Sequence, residues 1–384
     1  MSDVGVYLHV PFCERVCPYC DFAVVATRVL QPDDEARYVA ALQRELDHRA
    51  SAFAGRELAT IYFGGGTPSL LRPESIATLI ESVRARFPGI PREVTLEINP
   101  STVERARLPG FREAGVDRVS VGMQSFDDTT LRRLGRAHRA AEGHATWAAV
   151  REAGFGRASL DLIVAAPEQE RGGVEADLDA AIACAPEHLS VYELTFEEGT
   201  PFARAASDGR LHPIEETLAA EMLETVEARL EAAGYARYEI SSYAKRGAEA
   251  VHNRRYWQRL PVLGLGMGAV SSEPIGPGQP FGARRHNPRD LDAYWACADG
   301  AAAEHEVLDA ATARGEAMFL ALRTREGVDA RAFADTFGAP PRDFFARDVE
   351  RLLEQALLEE TPDGGLRLTP RGRMLSDHVF TSFV

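Results

Sequence analysis

Between residue 4 and about residue 234, short β-branched runs alternate with longer helical stretches, and each unusual polar or glycine-rich cluster falls at or just after the end of a run. That rhythm is how successive βα units read. Six strands are predicted, at 4–10, 59–63, 93–98, 117–121, 158–165 and 188–194. The clearest helices are predicted at 33–53, 73–87, 140–153, 174–184 and 215–233. Pro32-Asp33 and Pro73-Glu74 put proline and acid into first turns, where they suit the free N–H groups and the dipole. The strands read as apolar on both faces, which implies a parallel sheet covered by helices, either doubly wound or closed toward a barrel. The clusters at 13–20, 64–68, 99–100, 124–125, Asp161 and 197–199 would share one rim of a barrel, where such folds build their sites. Six units instead of eight predict an open, partial (β/α)6 TIM-like barrel.

After residue 240 the rhythm stops and a Gly/Pro-rich stretch runs from 264 to 282. The chain is therefore expected to divide into a barrel at 1–240, a connecting region at 241–305 and a C-terminal domain at 306–384. The last part predicts helices at 313–323, 329–337 and 342–355, then two short strands around an Asp-Gly turn, a mostly helical, winged-helix-like order. A winged helix often binds DNA, but a formal net charge of -15 argues against broad nucleic-acid binding and for a packing role. Lys245 is the sole lysine and is followed by Arg246, so no Gly-Lys-Ser/Thr phosphate loop exists and lysine Schiff-base chemistry has one poor candidate. No apolar run is long enough to span a bilayer and no signal peptide is recognisable, so a cytoplasmic protein is expected.

Three of the five cysteines form Cys13-x-x-x-Cys17-x-x-Cys20. Three thiolates in a short loop can fold inward on one soft metal centre. The spacing alone leaves open a zinc site with His9 as fourth ligand. Cys184 and Cys297 lie in apolar helical contexts and read as small core residues.

The cysteine spacing resembles that of the radical S-adenosylmethionine (SAM) superfamily, in which three cysteines hold a 4Fe-4S cluster and the unligated iron takes the methionine end of SAM. The resemblance continues through Gly64-Gly65-Gly66-Thr67-Pro68, Glu97-Ile-Asn99-Pro100 and Gly122-Met-Gln124-Ser125. It implies a radical SAM partial barrel with Tyr7, Tyr19, Gly65, Gly66, Thr67, Glu97, Gln124, Arg136 and Asp161 around SAM. On physical grounds the glycines would let backbone N–H groups approach a polar ligand. Glu97 would accept hydrogen bonds from a ribose, and Arg136 would clamp a carboxylate.

The line Leu8-His9-Val10-Pro11-Phe12-Cys13 through Cys20-Asp21-Phe22 is similar to the oxygen-independent coproporphyrinogen III oxidase group, most closely its HemW branch of heme chaperones. The oxidases carry a further cysteine where this chain has Phe22, and a long extension where it has twelve residues before Cys13. His252-Asn253-Arg-Arg-Tyr256-Trp257 resembles a HemW motif implicated in heme binding, which makes His252 a candidate heme ligand. The alternative is that His252 bridges local groups while Tyr256 and Trp257 pack. Two departures stand out: Ala165-Ala166-Pro167 replaces a Gly-Leu-Pro, and Val270 stands where a histidine is common. The resemblance implies a chaperone binding a 4Fe-4S cluster, SAM and heme, without coproporphyrinogen III dehydrogenase activity. It would deliver heme to an apo-haemoprotein at the membrane face, with transient membrane association and a reductant for the cluster; a homodimer is open. The rival is an oxidase converting propionates to vinyl groups by radical decarboxylation.

Overall fold

The computed structural model describes residues 3–297 and 303–384; the first two residues and part of the expected connecting region, 298–302, lie outside these. Six strands run in parallel in chain order: β1 (Val4–Val10), β2 (Leu58–Gly65), β3 (Glu93–Ile98), β4 (Arg118–Gln124), β5 (Arg157–Val164) and β6 (His188–Glu193). Between them lie α1 (Pro32–Arg49), α2 (Pro73–Arg86), α3 (Thr102–Glu113), α4 (Asp128–Arg133), α5 (Ala140–Glu152) and α6 (Arg171–Ala183), followed by α7 (Pro201–Ser207) and α8 (Glu216–Ala232). Pro32, Pro73 and Pro201 each stand in a first turn, where a missing N–H costs nothing.

The strands are not apolar on both faces. One face carries Val6, Leu8, Ile61, Phe63, Leu96, Val119, Leu160 and Leu189, which pack with α1, α2, α5, α6 and α8 in the main core. The alternate positions are polar and bond to one another: Tyr62 donates to Glu97 (2.7 Å), Ser120 to Asp161 (2.9 Å), and Ser159 meets His188 Nδ1 (2.8 Å). This strict alternation is what a sheet with helices on one side and a lined interior on the other requires.

The stretch expected to connect the barrel to the C-terminal domain instead extends the sheet at both edges. After β7 (Ala236–Arg237), β8 (Ser242–Ala244) pairs antiparallel with β6, and β9 (Val262–Leu265) pairs parallel with β1 on the far side. The strands β10 (Val270–Glu273), β11 (Ala283–His286) and β12 (Glu304–Val307) continue antiparallel from β9. Their shortness and the Gly/Pro content between them hid them from a rhythm tuned to βα units.

Helix α9 (Val251–Trp257) crosses the amino ends of the strands. Its first N–H groups, from Val251 and His252, each donate to the buried Glu93 carboxylate (3.0 Å) at the start of β3. Arg255, 1% exposed, donates to Asp3 Oδ1 (2.7 Å) and to the Pro261 carbonyl (3.0 Å). Beyond α10 (Leu291–Ala296), the C-terminal part has its own core. The helices α11 (Ala310–Leu322), α12 (Ala330–Phe337) and α13 (Pro341–Glu354) and the antiparallel pair β13 (Leu358–Glu360) and β14 (Leu366–Leu368) pack through Met318, Leu322, Phe333, Leu352 and Leu366. Two short helices, α14 (Pro370–Met374) and α15 (Ser376–Phe380), end the chain. Among the described residues no helix is long and apolar enough to cross a membrane.

Candidate functional site

At the carboxyl ends of the six strands lies a cavity of about 410 Å³. It is lined by Cys13, Cys17, Tyr19, Cys20, Gly65, Gly66, Thr67, Glu97, Gln124, Arg136 and Asp161. Every expected site residue except Tyr7 and His252 is thus brought to one place. The loop after β1 is fixed by backbone bonds from Val25 to Pro11 O (2.8 Å), Thr27 to Cys13 O (2.7 Å) and Cys20 to Cys17 O (3.1 Å). Pro18 packs against Gly135, where a Cβ would come within 2.5 Å of the proline ring.

The glycines act differently from the expectation. Gly65 N–H already donates to Glu97 Oε2 (3.2 Å), and Gly66 N–H to Val10 O (2.8 Å), so neither is free for a ligand. What they supply is closeness. A Cβ on Gly66 would meet the Pro11 and Phe12 carbonyls at 2.8 Å and Cys13 Sγ at 2.9 Å, while Gly65 has φ +117° and lies on the His9 ring. Glycine here seats the cysteine loop directly on the end of β2.

Polar contacts continue around the rim. Asn99 Nδ2 donates to Thr67 Oγ1 (2.9 Å), and Asn99 Oδ1 accepts from Arg136 Nη2 (2.5 Å). Arg136 also donates to Gly122 O (3.2 Å) and approaches Cys17 Sγ (3.5 Å), while its Nε is buried with no partner. Asn99 was legible as part of a strand-end cluster but not as the hinge between Thr67 and Arg136. Gln124 stands at φ 65°, in the left-handed region, where β4 breaks register against β5. Asp177 on α6 holds that break by accepting from Ser125 Oγ (2.7 Å) and Phe126 N (2.6 Å).

Burial dominates the electrostatics. It raises Glu97 to about 7, against the Tyr62 hydrogen bond, with Asp161 adding like charge. Asp161 is raised too, although Ser190, Ser120 and Ser159 donate to it. Burial pushes the Cys13 thiol up to about 11, so its thiolate needs a cationic partner there.

The donor set fits an iron-sulfur centre: three soft thiols at one cavity, all free of disulfides, with an orphaned guanidinium nitrogen beside them. It does not fit the zinc alternative. Both His9 nitrogens are engaged, Nε2 with Ala23 O (2.7 Å) and Nδ1 with Tyr7 OH (3.1 Å), and among the described residues no group of three or more His, Cys, Asp and Glu side chains is arranged to hold a single ion. Cys184 and Cys297 are partly buried and line none of this cavity.

Two expectations change. Tyr7 does not line the cavity; its hydroxyl braces His9, and its ring packs 6.0 Å from Tyr62 and 6.4 Å from His252. His252 is 0% exposed, with Nδ1 on Thr60 Oγ1 (2.8 Å) and Nε2 on Tyr256 OH (3.0 Å). Burial holds its imidazole down at about 3. A ring with both nitrogens engaged inside the barrel has no lone pair to offer an iron, so in this fold the motif plugs the amino end of the barrel.

Residues 7–181 match the Radical SAM superfamily model, and residues 308–375 the HemN C-terminal domain. The chain is 34% identical over 389 residues to the heme chaperone HemW of Bacillus subtilis, covering 99% of each. It is 42% identical over 272 residues to the heme chaperone HemW of Escherichia coli, covering 70% of each. The coproporphyrinogen III oxidase HemN of Escherichia coli, described as a radical SAM enzyme, shares the fold, with a TM-score of 0.83 at 24% identity over 100% of this chain and 90% of that one. The chain belongs to the HemW heme chaperone family, built on the radical SAM barrel.

Proposed function

We propose that this protein is a heme chaperone, which holds a 4Fe-4S cluster and SAM at the carboxyl ends of the barrel strands, binds heme as cargo and passes it to an apo-haemoprotein. One structural observation carries the choice over an oxidase: the cavity offers three thiols, and the position of a fourth is taken by Phe22, 62% exposed at the mouth. Full-length likeness to chaperone relatives supports the same reading.

Cys13, Cys17 and Cys20 would hold the cluster, which when bound supplies one-electron chemistry and an open iron for SAM. The chain's own groups prepare that place. Arg136 sets a positive charge beside Cys17, where it offsets thiolate charge. Glu97 and Asp161 are mostly buried carboxyls at the cavity wall, able to take hydroxyl hydrogen bonds, and Tyr19, Thr67 and Gln124 complete the wall. A one-electron reductant, an acceptor at the membrane face and self-association into a homodimer belong to this proposal, as does a division into barrel (1–240), sheet-extending segment (241–305) and C-terminal domain (306–384).

The test is a heme titration beside a porphyrinogen turnover assay on the anaerobically reconstituted protein. A Soret change with no vinyl product is expected. Vinyl product dependent on SAM and abolished by Cys13→Ser would establish the oxidase instead.

A further inference from the structure

With His252 sealed inside the barrel, the cargo needs another place. Two adjoining cavities, about 450 and 500 Å³, lie in the seam between α9, the β10–β11 hairpin and the C-terminal helices, and share Arg259 and Ile275. Each is of a size that takes a small-molecule ligand. The motif helix reaches them with its other end: Tyr256 lines the first and Trp257 the second.

Strand alternation decides which side chains meet the first cavity. Val270 pairs with His286 and Ser272 with Arg284, so these four share one face, and all four line the cavity. Ser271 lies on the opposite face and binds Arg49 of α1 (2.8 Å). Unlike His9, His188 and His252, whose ring nitrogens are both engaged, His286 has no side-chain hydrogen bond or ion pair among the described residues.

Around it the first cavity joins apolar walls to two guanidiniums that share one carboxylate, while the second, with Arg254 and Arg259 against Glu326 and Asp329, is balanced in charge. Ile275 is 60% exposed and Val270 41%, and Phe281 stacks on Phe337 at 5.9 Å. Arg259 and Arg284 both pair with the single Glu316 carboxylate (3.2 and 2.5 Å), while Glu273 is matched by Arg285 (3.0 Å) and Arg49 (3.7 Å). One carboxylate between two guanidiniums leaves a charge for an incoming anion.

The geometry points to this seam as the tetrapyrrole site: a heme-class macrocycle lies between α9, the β10–β11 hairpin and α11, with His286 ligating its iron and Arg259 and Arg284 meeting its carboxylates. This rests on the chaperone reading and gives the cargo a place in it. Ligation forms one Fe–N bond from a ring lone pair and changes no oxidation state.

Ferric heme titrated into the full-length protein tests it, with His286→Ala, Ile275→Asp and a control, His378→Ala, on α15 away from both cavities. We expect His286→Ala to shift the Soret band and weaken binding by about tenfold or more. Ile275→Asp should weaken binding at an unchanged melting temperature, because the side chain is mostly exposed. His378→Ala should bind as the parent does. Parent-like binding and spectra in both seam variants would overturn the site and leave the chaperone function standing. No heme binding by the parent would overturn the function, and the site with it.

Discussion

At the scale of single residues, the cavity depends on atoms that are absent as much as on those present. Gly66→Ala would force a methyl to 2.9 Å from Cys13 Sγ, and overpacking of this kind costs about 1–3 kcal/mol. We expect the variant to fold but to retain less than half the iron of the parent after reconstitution, read by iron and sulfide analysis. Parent-like iron content would sink the close-packing role. Asp177 makes a separate claim about pH. Burial raises its carboxyl to about 6 from an ordinary 3.8, against the bonds from Phe126 and Ser125. The folded state therefore holds a proton that the unfolded chain has released. The resulting stability is full below pH about 4 and is lost as pH rises through 6, by an amount on the order of 3 kcal/mol. Asp177→Asn, neutral throughout, should gain on the parent by about that much between pH 4 and 7.5 in urea unfolding; a constant difference would show that Asp177 does not titrate there. Of these residues, the cysteines and Gly64-Gly65-Gly66 were plain in the sequence. The Asp177 support of Gln124 was not, because the two lie far apart in the chain and a lone aspartate in a helix carries no spacing signal.

At the scale of elements, the parallel strands were legible because short β-branched runs, each closed by a polar or glycine-rich cluster and followed by a helical stretch, repeat six times, and β1 and β3 fall at the expected bounds; the alternation of faces within them was not legible. The edge strands β8 to β12 were not, since strands of three or four residues between Gly and Pro have too few positions to establish a period. Helix α9 is the instructive case. The resemblance of its motif makes His252 a candidate heme ligand, with local bridging as the alternative; the structure gives the bridging, which periodicity cannot reveal because it does not tell which face of a seven-residue helix points inward. The interior position gives a test. His252→Ala would open a cavity and leave Thr60 Oγ1 and Tyr256 OH without their shared partner, a loss of about 2–4 kcal/mol. An exposed iron ligand would cost almost nothing when removed. Chemical denaturation of the heme-free protein separates the two, and a midpoint equal to that of the parent would contradict the plug. Any loss of heme binding in this variant then has to be judged against its lost stability.

At the scale of the whole molecule, the C-terminal core is tied to the barrel through charge as well as packing. Glu227 on α8 accepts from Arg373 of α14 at 2.7 and 3.0 Å and lies 3.4 Å from Arg237 of β7, so a single carboxylate joins three elements. Arg237 is depressed by burial and by the Arg373 charge, and its Nε has no hydrogen bond, so the pair of guanidiniums depends on Glu227 for its neutralisation. Glu227 is about one-fifth exposed, which lets water screen part of the loss; Glu227→Ala should still cost about 1–3 kcal/mol by leaving two cations facing each other. The loss should be regional. Hydrogen exchange is expected to quicken in α14 and in β14 beside it, while β1 to β5 keep their protection, because the main core buries none of these contacts. Since the tetrapyrrole seam is walled by the same C-terminal part, the variant should also bind heme more weakly while its iron and sulfide content is unchanged. Equal slowing or quickening across both cores would mean that the two parts unfold as one unit, and the seam would then have no independent freedom with which to admit and release a cargo.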